Sequence, residues 1–76
     1  MLKDKTINDI MKLEGTSKTS NSNILNHIKS ILEDNLECKI SCYQSDNKIN
    51  ILASGSEIII ELKKNVYLFI EKITII

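Results

Sequence analysis

Residues Glu57 to Ile76 constrain the fold more than any other stretch. They read Glu-Ile-Ile-Ile-Glu-Leu-Lys, then Lys-Asn, then Val-Tyr-Leu-Phe-Ile-Glu-Lys-Ile-Thr-Ile-Ile. β-branched and aromatic residues fill both arms and a polar pair lies between them, a pattern that predicts a β-hairpin. The second arm is apolar at odd and even positions alike. A strand of that kind is stable only when both of its faces are covered, so the hairpin belongs to the core.

Upstream, the hydrophobic period is also two. Cys38, Ile40 and Cys42 alternate with Glu37, Lys39, Ser41 and Tyr43; Gln44 to Asn47 supply a turn; Ile49, Ile51 and Ala53 alternate with Lys48, Asn50 and Leu52. Keeping the apolar faces together sets the expected registers. A two-residue turn at Gly55-Ser56 places Ala53 against Ile58, Ile51 against Ile60 and Ile49 against Leu62. The preceding hairpin then opposes Cys42 to Ile49 and Ile40 to Ile51. For the last hairpin, a three-residue loop Lys63-Lys64-Asn65, with Asn65 left-handed, aligns Val66, Leu68 and Ile70 with Leu62, Ile60 and Ile58. The opposite face of that sheet would carry an apolar stripe of Ile59, Tyr67, Phe69, Ile73 and Ile75. A two-residue loop would instead turn Tyr67 and Phe69 to the core.

Before the strands the period is helical. Ile24, Leu25, Ile28, Ile31, Leu32 and Leu36 share one face over residues 24–35, with Asn26, Lys29, Ser30 and Glu33 opposite and His27 at the border, and Ser22 or Asn23 is the expected N-cap. Residues 16–23 contain no apolar member and read as a flexible linker. Residues 4–14 predict a short, marginal helix, with a capping box at Thr6-Ile7-Asn8-Asp9 and Gly15 as its C-terminal cap. The expected fold class is therefore α+β: one amphipathic helix on a four-stranded antiparallel meander (24–76), preceded by a marginal helix (1–15) and a polar linker (16–23). That helix-then-four-strand order resembles the general plan of cystatin-like sheets wrapped on a helix, a likeness of architecture alone.

Composition narrows the function classes. A chain of 76 residues buries only about 60% of its unfolded surface, which leaves little room for a deep catalytic cavity. Ten lysines balance ten carboxylates with no arginine, so there is neither a single-sign field to attract nucleic acid or membrane nor the planar fork that dominates phosphate and guanine contacts. No apolar run has the length of a signal peptide or of a membrane span, and a cytoplasmic location is expected. Cys38 and Cys42 are about 13 Å apart along a strand, too far for a disulfide, and are expected as free, buried thiols.

No constellation of residues points to catalysis, a metal or a cofactor. Cys38, Cys42 and His27 fall one ligand short of a structural zinc site, and the cysteines lack the close knuckle spacing. With only Gly15 and Gly55 as glycines, phosphate-cradling loops and the nucleophile elbow are excluded. Glu57, Glu61 and Glu71 alternate with lysines, as on a solvated strand face.

Two features point to interaction. The fourth strand lies at a sheet edge, and a long apolar edge must be covered by a second copy, by another partner, or by the first helix folding back. Glu33, Asp34 and Glu37 also crowd the end of the long helix, where the macrodipole disfavours negative charge. The expectation is a non-enzymatic protein-binding module, dimeric through its C-terminal strand, with Ile59, Tyr67, Phe69, Ile73, Ile75, Glu33, Asp34 and Glu37 contacting partners. A phage or mobile-element inhibitor that covers a surface of a larger host enzyme or defence complex fits this description. The alternative is a nucleic-acid-binding or regulatory protein using Lys48, Lys63 and Lys64 with the aromatics Tyr67 and Phe69.

Overall fold

The computed structural model describes residues 2–33, 40–53, 55–63 and 68–76. Expectations that rest on Asp34, Leu36, Glu37, Cys38, Lys64, Asn65, Val66 or Tyr67 lie outside these residues. Two helices, α1 (Asp4–Met11) and α2 (Asn21–Leu32), precede four strands, β1 (Ile40–Ser45), β2 (Lys48–Ala53), β3 (Ser56–Lys63) and β4 (Phe69–Ile75). The strands form one antiparallel meander in the order β1-β2-β3-β4, the α+β plan that the sequence leads one to expect. No helix of the described residues is long and apolar enough to cross a membrane.

Both helices, not one, contribute to the core. Leu2, Ile10 and Leu13 around α1 join Ile24, Ile28 and Leu32 of α2 in one cluster with residues of β2, β3 and β4. Leu2, Thr6, Ile10 and Leu13 recur at steps of four, four and three, which is a helical stripe, and this stripe fixes the phase of α1. Thr6 consequently lies inside the helix, 2% exposed, and the expected capping box at Thr6–Asp9 does not form; Lys3 precedes the first turn without a side-chain cap. The cap of α2 also lies earlier than expected: the Ser20 hydroxyl accepts the Asn23 N–H at 3.2 Å.

The sheet keeps the expected core face while both early registers slide by two residues. Ile40 pairs with Ala53, Cys42 with Ile51 and Gln44 with Ile49; Ile51 pairs with Ile58 and Ile49 with Ile60. A shift of two preserves the side of every residue, so hydrophobic alternation alone cannot detect it. The turns set the difference. Ser45 pairs with Lys48 and Ala53 with Ser56, leaving Asp46-Asn47 as the first connection and placing Gly55, at φ +79°, in the second. Only glycine takes that conformation without strain.

The last hairpin departs further. Lys63 pairs with Phe69, so the connection is longer than the three residues expected, and the left-handed residue within its described part is Leu68, at φ 51°. A β-bulge follows: Glu61 pairs with Lys72 but Leu62 with Ile70, which leaves Glu71 as the extra residue. The insertion reverses the alternation. Ile70 and Ile73 are both buried, and Ile75, opposite Ile58, is half-buried on the same helix-covered side. The expected stripe of Ile59, Tyr67, Phe69, Ile73 and Ile75 is therefore not assembled, because Ile73 and Ile75 belong to the core face.

Glu14 and Gly15, expected to close the first helix, and Thr16 and Ser17, expected to begin a flexible linker, form a strap along the outer edge of β4. The Gly15 N–H donates to the Ile70 carbonyl at 2.8 Å and the Ile70 N–H to the Thr16 carbonyl at 2.7 Å. Ser17 bridges to Phe69, and the Ile73 N–H donates to the Glu14 carboxylate at 2.9 Å. Gly15 adopts φ +84°, which ends the turn after α1 and brings the chain onto the sheet. Of the three ways to cover this edge, the chain uses its own N-terminal segment.

Two substitutions check these contacts. Glu14→Ala leaves the Ile73 N–H without its charged acceptor and is expected to cost about 1–2 kcal/mol. Gly55→Ala forces a side chain into a left-handed backbone and is expected to cost about 1 kcal/mol. Each should lower the midpoint of urea unfolding without changing the slope.

Candidate interaction surface

The helices cover one face of the sheet, and among the described residues no element covers the other. Antiparallel pairing arranges that open face in rows. Tyr43, Asn50, Ile59 and Thr74 form one row across the four strands. Ser41, Leu52 and Glu57 form the next, completed by Ile76, whose N–H and carbonyl exchange hydrogen bonds with Glu57. On the other side lie Ser45, Lys48, Glu61 and Lys72, and beyond them Lys63 beside Phe69.

The rows place large apolar groups on diagonals. Tyr43, Leu52, Ile59 and Ile76 zigzag across the sheet, each on a diagonal from the next, within reach of long side chains. Tyr43 is 57% exposed, Leu52 45% and Ile76 73%; Ile59 is half-buried beneath its neighbours. The polar residues among them are tied down, since the Asn50 amide donates to the Glu57 carboxylate at 3.1 Å. The result is an apolar band with a fixed polar pair inside it and charged residues along one side.

The expected site residues divide among several places. Ile59 and Phe69 do lie on the open face, half-buried. Ile73 is in the core and Ile75 lies on the helix-covered side, so neither reaches this surface. Glu33 is exposed at the C-cap of α2, its N–H bound to the Lys29 carbonyl at 2.9 Å. Tyr67, Asp34 and Glu37 lie outside the described residues. Tyr43, Leu52 and Ile76 were missed. The signal for two of them was legible: Tyr43 and Leu52 are large apolar residues at off-core positions of neighbouring strands.

Cys42 is exposed rather than buried. It faces the helix side opposite Ile51, yet the packed core draws on β2, β3 and β4, and from β1 only Ile40 lies partly against it. β1 thus projects beyond the helical layer. At its far end the Asn21 amide reaches the Gln44 side chain at 3.3 Å.

Described residues also form two shallow depressions. Ser17, Lys18, Asn23, Asn26, His27 and Ser30 line one, on the solvent side of α2; none of these is a carboxylate or thiol that could pair with His27. Glu14, Glu61, Glu71 and Lys72 line the other, where the Glu14 carboxylate is already committed to the Ile73 N–H. Among the described residues no three His, Cys, Asp or Glu side chains are grouped so as to hold a metal ion.

The position of Cys42 gives a direct check. In a Cys38→Ser chain, the single remaining thiol is expected to react with a thiol reagent in the folded protein at the same rate as in urea-unfolded protein, within a few-fold. Protection by orders of magnitude that persists on dilution would return Cys42 to the core. No protein-family model, curated protein or solved structure matches this chain.

Proposed function

We propose that the protein is a non-enzymatic, cytoplasmic binding module that acts by laying the open face of its sheet on a larger protein. The observation that carries this is the apolar zigzag of Tyr43, Leu52, Ile59 and Ile76 on the uncovered face. Burial of such side chains supplies about 25 cal/mol per Å² removed from water, the dominant favourable term in association. A module with a flat apolar face and shallow depressions acts by occlusion. That is the mode of a phage or mobile-element inhibitor that covers a host enzyme or defence complex. The C-terminal strand enters the contact through its open face, at Phe69, Thr74 and Ile76, because the strap occupies its outer edge at Phe69–Ile73.

A nucleic-acid reading has one observation in its favour. Lys48, Lys63 and Lys72 gather at one end of the open face beside Phe69. Glu61 lies between Lys48 and Lys72 in the same row, so the cluster lacks the unbroken positive charge that phosphate tracking needs.

The test is parallel affinity capture from host extract with the native chain, Leu52→Asp and Lys48→Glu/Lys63→Glu. A protein retained by the native chain and the lysine variant, but lost by at least tenfold with Leu52→Asp, is the expected result. Material that is nuclease-sensitive, salt-labile and lost only with the lysine variant would overturn the proposal in favour of nucleic acid.

A further inference from the structure

The two edges of the sheet are treated differently, and the difference identifies a second surface, independent of the open face. Along Phe69–Ile73 the outer edge of β4 is covered by hydrogen bonds with Gly15, Thr16 and Glu14, and it is broken by the bulge at Glu71. Among the described residues β1 has no such device. Its residues, Ile-Ser-Cys-Tyr-Gln-Ser, include no charge and no proline, and its register against β2 runs without interruption from Ile40 to Ser45. Lysine, proline, bulges and covering segments are what normally prevent a sheet edge from pairing with another chain.

The phase of the ladder shows which groups are open. The Leu62 N–H donates to the Asn47 carbonyl at 2.8 Å, and antiparallel hydrogen-bonded pairs alternate from there. Lys48, Asn50 and Leu52 therefore turn their N–H and C=O groups toward Ser45, Tyr43 and Ser41. Ile40, Cys42 and Gln44 turn theirs outward, where none has a hydrogen-bond partner among the described residues.

We propose that this edge is the self-association surface: β1 of one copy pairs antiparallel with β1 of a second copy about a two-fold axis through Cys42. That axis sets Ile40 opposite Gln44 of the second copy, Cys42 opposite Cys42, and Gln44 opposite Ile40. All three pairs join outward-facing residues, so each closes two backbone hydrogen bonds. An axis through Ser41 or Tyr43 retains only two such pairs within the strand, which selects Cys42 as the centre. The uncharged edge brings no like charges together, and it carries no charge that would select a foreign strand instead. Because the strap and the bulge occupy the β4 edge along Phe69–Ile73, pairing stops at a dimer with an eight-stranded sheet and does not propagate into a fibre. The two open faces then form one continuous surface.

The experiment is light scattering of the full chain over a concentration series, with Cys42→Pro alongside. The native chain is expected at twice the 8.6 kDa of one copy. Cys42→Pro removes an outward N–H and leaves the bonds to β2, so it is expected at the mass of one copy with an unchanged circular dichroism spectrum. Should proline unfold the chain, a second measurement decides. Diamide, which takes up the two thiol hydrogens as the disulfide forms, is expected to cross-link Cys38→Ser at least tenfold faster than a chain whose only cysteine is Ser45→Cys. A native monomer throughout, a dimer unaffected by a folded Cys42→Pro, or equal cross-linking rates would each overturn the proposal. So would a mass that grows without limit.

Discussion

A small antiparallel sheet has two edges, and an edge backbone group without a partner either binds water or recruits another chain. In this fold the outward N–H and carbonyl of Ile70 are satisfied by Thr16 and Gly15, and the outward N–H of Ile73 by Glu14. The same contacts determine where α1 lies, since a strap bonded to β4 brings the preceding helix over the core. A helix of eight residues is unstable alone. Here its helical form rests on burying Leu2, Thr6, Ile10 and Leu13 and on the chain that follows being anchored to the sheet. The bulge is part of the same arrangement: it puts both Ile70 and Ile73 on the core side and turns the Ile73 N–H toward Glu14.

Much of this was legible in the sequence, and the failures have physical causes. Periodicity identified four strands, the helical face of Ile24, Ile28 and Leu32, and the shared core side of Ile49, Ile51, Ile58 and Ile60. It did not fix the first two registers, because a slide of two residues leaves every side chain on its own face. The turns at Asp46-Asn47 and at Gly55 decided them. The stripe through Ile73 and Ile75 failed because strict alternation was carried through Glu71-Lys72. Isoleucines at 70, 73 and 75 are spaced by three and then two, which is the trace of a bulge. Thr16 and Ser17 were read as linker because polar residues carry no packing signal, yet their backbone serves as well as any other in closing an edge.

The candidate surface was half legible. Ile59 and Phe69 were placed on the correct face, whereas Tyr43 and Leu52 were treated as polar-side residues of their strands. Cys42 was assigned to the core because its neighbours in the alternation are core residues. Alternation reports which side of a sheet a residue faces; it does not report whether the helical layer extends that far. β1 lies beyond that layer, so helix-side residues such as Cys42 and Gln44 meet solvent.

The asymmetry between edges is the central feature: one is covered by the chain's own strap along Phe69–Ile73 and the other has no covering segment among the described residues. Amide hydrogen exchange on the native protein tests the seal most directly. If the strap is in place, the Ile70 and Ile73 amides exchange as slowly as those of Ile58 and Ile60 within β3, by an opening comparable to global unfolding. Exchange of Ile70 and Ile73 at the rate of the exposed Asn26 and Ser30 side of α2 or faster would mean that β4 has an open edge, and the account of both edges would fail.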